Sequence, residues 1–96
     1  MFEKVREFLV DEKDLIMVLK AINKHVGYFN GDILTGDKNS DDTWFVSFNA
    51  TNKKYGLIMN DLNKFGEFKL QVNSKGKTDV YFERHKNIEV ENGVLI

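Results

Sequence analysis

Tyr81, Glu83 and His85 stand two residues apart in a stretch that alternates like a strand. Side chains alternate across a strand, so the three share one face. Lys69, on the preceding apolar run, falls opposite Tyr81 when the two runs pair as a hairpin. A phenol, a carboxylate, an imidazole and an ammonium on one face form an acid–base set of the type used in RNA cleavage. The same four residues also make an ordinary solvent-facing row. The sequence shows neither a cleft nor a phosphate clamp beside them, so an RNase-like enzyme stands as the third reading of the chain.

Two other constellations fail on their own chemistry. Gly31 and Gly36 have the spacing of a phosphate-binding loop. The loop needs a lysine next, and Asp37 stands there; it then needs a magnesium-binding hydroxyl, and Lys38 stands there. Asp37, Asn39 and Asp41 match the first ligand positions of a calcium loop, but Asp42 replaces its glycine and Phe48 its bidentate glutamate. Asp, Asn and Ser in such a run make turns through local hydrogen bonds. No serine sits in a nucleophile elbow. With no cysteine in the chain, thiolate metal sites, disulfides and cysteine nucleophiles are excluded. The sequence therefore assigns no catalytic residue, no metal and no cofactor, and the chain is read as non-enzymatic.

The elements that position these residues follow from hydrophobic rhythm, which changes at Gly27. Phe2, Val5, Phe8 and Leu9 fit one helical face, and Leu15, Ile16, Leu19, Ile22 and Val26 fit a second helix over about 12–26. Asp11 suits its N-cap and Gly27 its left-handed end. After Gly27 the period is two. A weak strand is expected over 28–35, then strands over 43–49 and 55–60. A hairpin follows, with Ser74-Lys75-Gly76 as a bulged three-residue turn. That turn pairs Val72 with Thr78, Leu70 with Val80 and Phe68 with Phe82. Asn92-Gly93 is a turn that folds the last residues back. The expected fold is α+β: two N-terminal helices (2–26) packed on one face of an antiparallel five- or six-stranded β-meander (28–96), in a single domain of 96 residues. Its inward face is Trp44, Val46, Phe48, Leu57, Phe68, Leu70, Val80 and Phe82.

Composition narrows the setting. Hydrophobic residues make up 42% and charged residues 30%, which is globular. No apolar run approaches the ~18 residues of a membrane span. Glu3, Glu7 and Asp11 break up any secretory signal, and a cysteine-free chain suits the cytoplasm. The net charge is −1, with residues 1–50 carrying six basic and nine acidic side chains.

One helical layer covers one face of a sheet. The other face then carries Phe45, Ile58, Lys69, Tyr81, Glu83 and His85 among polar neighbours. Aromatics rimmed by polar groups mark binding patches. The first reading is a small protein-binding module of inhibitor, immunity or accessory-subunit type, acting by occupancy on a protein partner or a second copy. The second is a single-stranded nucleic-acid binder, with Phe45, Tyr55 or Tyr81 stacking bases and Lys53, Lys54, Lys69, Lys75, Lys77 and Lys86 meeting phosphates. The absence of a basic excess disfavours it.

Overall fold

The computed structural model describes residues 2–26, 33–91 and 94–95. The chain runs β1 (Lys4–Asp11), a 3₁₀ turn (Glu12–Asp14), α1 (Leu15–Val26), β2 (Ile33–Thr35), β3 (Thr43–Ala50), α2 (Asn52–Leu62), β4 (Gly66–Val72), β5 (Thr78–Arg84), β6 (Val90–Glu91) and β7 (Val94–Leu95). The main sheet has the order β2-β3-β1-β5-β4. β1 pairs antiparallel with β3 and parallel with β5, so the sheet is mixed. β6 and β7 form a separate two-stranded ladder.

This corrects the expected antiparallel meander with two N-terminal helices. Residues 2–9 are not a helix: most of them belong to β1, the central strand. The spacing of Val5, Phe8 and Leu9 imitates a helical stripe. What decides the structure is the unbroken run Phe8-Leu9-Val10, buried throughout. A strand covered on both faces reads as a continuous apolar run rather than an alternation. Residues 55–60 are not a strand either. Thr51 caps α2 by accepting the Lys54 N–H at 3.2 Å, and Tyr55, Ile58, Met59 and Leu62 then fall on one helical face. All four pack into or against the core.

Two expectations hold in detail. α1 occupies most of the predicted second helix, although its buried side is Met17, Val18 and Ile22, with Ile16 turned outward. The β4–β5 hairpin has the expected register, Val72 opposite Thr78, Leu70 opposite Val80 and Phe68 opposite Phe82. Gly76 holds the left-handed position of the turn at φ 77°, and the Asn73 carboxamide oxygen accepts the N–H groups of Lys75 and Lys77. The expected cap at Gly27, the strand residues 28–32 and the turn at Asn92-Gly93 lie outside the described residues.

Both helices lie on one side of the sheet. Phe8 and Val10 of β1, Val46, Phe48 and Ala50 of β3, and Phe82 of β5 meet Met17, Val18, Ile22, Ile58 and Leu62. Phe8 stands at the centre, its ring 5.2 Å from Phe48 and 4.9 Å from Phe68. Of the expected inward set, Leu57 points out from α2 and Leu70 is exposed on β4. Gly66 is required where it stands, because a Cβ there would lie 2.8 Å from Arg84 Cα and against the Glu83 carbonyl.

Polar contacts fix the ends of the layers. His25 Nε2 meets Asp61 Oδ2 at 2.8 Å, joining the end of α1 to the end of α2. Arg84 Nε donates to Asp14 Oδ1 at 2.7 Å, and the same guanidinium donates to the Ile88 carbonyl. Asp14 is 1% exposed. Removing one partner of such a buried pair strands the other charge in a low-dielectric site. Asp14→Ala is therefore expected to cost roughly 3–5 kcal/mol in urea unfolding. Glu12→Ala, which removes an exposed partner of Lys38, should leave the urea midpoint almost unchanged, because solvent screens such a pair.

Candidate functional site

The side of the sheet away from the helices is built by the odd-numbered residues of its four long strands, because side chains alternate. The registers set Lys69 opposite Tyr81, Tyr81 opposite Leu9, and Leu9 opposite Phe45. An apolar row thus crosses β5, β1 and β3, with a lysine at its outer end. Leu9 is 9% exposed although no helix covers it. The large side chains on either side of it in the row close over it.

Carboxylates surround the row. Glu7 and Asp11 lie on β1, Asp79 and Glu83 on β5, and Glu67 on β4; Lys69 is the only basic residue on this face of the four strands. Several are already engaged. The Tyr81 hydroxyl donates to Asp11 Oδ2 at 2.8 Å, Lys69 Nζ lies 3.0 Å from Glu83 Oε1, and the Ser47 hydroxyl donates to Glu7 Oε2 at 3.0 Å. Burial and the Asp11 carboxylate push the Tyr81 phenol well above its ordinary range. The hydrogen bond to Glu83 raises the Lys69 ammonium. Asp11 stands at the N-cap position of the 3₁₀ turn but makes no side-chain cap, since its carboxylate faces Tyr81.

Two hollows flank this row. One, of about 370 Å³, is lined by Leu9, Phe45, Thr43 and the 39–41 turn on one side and by Gln71–Ser74 and Asp79 on the other. The second, of about 470 Å³, lies between Asp11, Tyr81 and Glu83 and the Asp14–Arg84 pair, with Lys13 and Lys86 at its rim. The β6–β7 hairpin does not close the face: β6 lies against the 3₁₀ turn and β7 against α1.

Of the residues singled out from sequence, Phe45, Lys69, Tyr81 and Glu83 come together on this face. Ile58 does not. It is fully buried on α2, because residues 55–60 are helical. His85 follows the end of β5, where its N–H donates to the Phe65 carbonyl and its carbonyl accepts the Ile88 N–H. His85 thus stands one residue beyond β5, with its N–H continuing the hydrogen bonding to β4. Tyr55 packs against Phe8 and Phe48 with the Arg6 guanidinium 4.4 Å above its ring, away from the open face. Glu7, Leu9 and Asp11 were missed from sequence because β1 read as a helix; the apolar run bounded by Glu7 and Asp11 was the signal.

In the acidic loop, Asp41 Oδ1 accepts the Thr43 N–H and hydroxyl, and Lys38 bridges Glu12 and Asp42. The described residues hold no cluster of three or more acidic, histidine or cysteine ligands arranged for a metal ion. None of their helices is long and apolar enough to cross a membrane. No protein family, curated protein or solved structure matches the chain.

The raised phenol of Tyr81 has a consequence at alkaline pH. A folded pKa above the unfolded value means the native state holds its proton longer, so stability falls as pH rises above about 10. Tyr81→Phe should lose less stability between pH 9 and 11 than the wild type, measured by thermal unfolding. A residual decline is expected to remain from Tyr55, whose phenol is also raised by burial.

Proposed function

We propose that this chain is a protein-binding module that acts by occupancy, presenting the open sheet face to a partner with a basic surface. The observation that carries this reading is the composition of that face. An apolar row, Phe45–Leu9–Tyr81, is set among five carboxylates and one lysine, on a side of the sheet that no helix among the described residues covers. Apolar centres with charged rims are the anatomy of protein interfaces. A predominantly acidic rim speeds encounter with an oppositely charged partner. The rigid mixed sheet beneath fixes these groups in place, so binding needs little ordering.

The nucleic-acid reading loses support from the same geometry. Most of the lysines lie away from the aromatics: Lys53 and Lys54 are on α2 and Lys75 and Lys77 in the β4–β5 turn, while Lys69 beside Tyr81 is engaged by Glu83 and Lys86 lines the hollow next to Tyr81. Phosphates approaching Phe45 and Tyr81 would meet carboxylates instead. The enzymatic reading loses its base. The Tyr81 phenol is held protonated against Asp11, well above the range in which a general base must titrate, and the Glu83 carboxylate is engaged by Lys69. Inhibitor, immunity and accessory-subunit roles all fit occupancy, and the cysteine-free composition supports a cytoplasmic setting.

The test is affinity capture with the full chain, followed by titration of the captured protein against variants. Phe45→Ala should weaken binding about tenfold or more, as loss of a central aromatic does. Glu7→Lys with Asp79→Lys should slow association and flatten its salt dependence. Full affinity in both variants, each folded, would remove the face from consideration. A single-stranded oligonucleotide should show no binding at low salt, where phosphate contacts are strongest.

A further inference from the structure

β4 is an edge strand, and no described strand pairs with its outer side. β5 is the element that packs along it; no other has more than marginal contact with it among the described residues. The phase of its hydrogen bonding is fixed at both ends. The Asn73 N–H donates to the Lys77 carbonyl at 2.8 Å, and the His85 N–H donates to the Phe65 carbonyl at 2.8 Å. Hydrogen-bonded and non-bonded pairs alternate in an antiparallel ladder. The odd residues of β4 therefore bond inward to β5, and the N–H and C=O groups of Phe68, Leu70 and Val72 point outward. Leu70 and Val72 are also the exposed apolar residues of the strand, at 75% and 73%.

Edge strands in soluble proteins are commonly blunted by proline, bulges or unpaired lysines. β4 has none of these devices in force. The chain contains no proline, the register with β5 is unbroken from Gly66 to Val72, and the charge of Lys69 is held by Glu83. We propose that this edge pairs with β4 of a second copy of the chain, antiparallel and centred on Leu70, joining the two sheets into one.

The strand's own sequence selects that register. Only even residues can pair with even residues, since those carry the outward groups. Centring on Lys69 sets two lysines face to face, and like charges directly opposite repel. Centring on Phe68 leaves Val72 opposite Lys64, outside the strand. Centring on Gln71 shortens the ladder to Leu70–Val72. Centring on Leu70 sets Leu70 on Leu70, Phe68 on Val72, Lys69 on Gln71 and Glu67 on Asn73. Apolar side chains then meet apolar ones on the helical side, and no like charges face each other on the open side. A two-fold axis normal to the sheet keeps both open faces on the same side of the dimer. The edge and the open face are separate surfaces, so either proposal stands or falls without the other.

Sedimentation of the full chain over a range of concentration tests the pairing, and single cysteines test the register, because the chain has no cysteine of its own. Opposed Cα atoms in a hydrogen-bonded pair lie about 5.5 Å apart, within disulfide range. Leu70→Cys is expected to give a disulfide-linked dimer on mild oxidation. Val72→Cys is not, since the two copies of residue 72 would be offset by about 13 Å along the strands. Leu70→Lys is expected to raise the dimer dissociation constant by roughly a hundredfold while leaving the circular dichroism unchanged. A wild-type chain that stays monomeric at high micromolar concentration overturns the proposal. So does a dimer that Leu70→Lys leaves intact, or one that Val72→Cys cross-links and Leu70→Cys does not.

Discussion

The Tyr81 hydroxyl on Asp11 and the Arg84 guanidinium on Asp14 fasten β5 beside β1, 70 residues apart in sequence. The parallel ladder between these strands is short, with Leu9 opposite Tyr81 and Val10 opposite Phe82. Everything on the β4 side of the molecule depends on that seam. Without it the β4–β5 hairpin has only itself to pair with, and Phe82 and Phe68 leave the cluster around Phe8. The two side-chain contacts lie on one stretch, at the top of β1 and the turn after it, so they reinforce each other. Closing the seam brings together strands 70 residues apart, so it carries the loop-closure entropy of a long loop.

The seam also creates the open face. Seating β1 between β3 and β5 buries Phe8 and Val10 under the helices and leaves Leu9 on the other side, between Phe45 and Tyr81. The charged residues that flank the run, Glu7 and Asp11, arrive there by the same alternation. Structure and binding surface thus share residues. Asp11 accepts the Tyr81 hydroxyl that secures the strands, and it also contributes to the acidic rim. The helical layer, tied at one end by His25 and Asp61, covers only the opposite side.

What could be read from the sequence was local. The β4–β5 hairpin was legible to the residue because Gly76 and Asn73 determine the turn and strand alternation does the rest. Phe45, Lys69, Tyr81 and Glu83 were placed on the open side by the same alternation. β1 was not legible, since its partners lie far along the chain and its spacing of Val5, Phe8 and Leu9 is helical by coincidence. α2 was misread because Tyr55, Leu57 and Met59 alternate around Gly56. The Thr51 cap and the spacing of Tyr55, Ile58, Met59 and Leu62 outweigh that alternation. Leu70 on β4 was assigned to the inward face although it is exposed, because nothing in its own sequence neighbourhood says where the helical layer ends.

Hydroxyl-radical footprinting of the chain, free and with its protein partner bound, bears most directly on the claim that the open face is the binding surface. Oxidation of Phe45 and Tyr81 should fall sharply on binding, while Ile16 on α1 and Leu57 on α2 keep their rates. Unchanged oxidation of Phe45 and Tyr81, with protection of Ile16 and Leu57 instead, would place the partner on the helices and contradict the account.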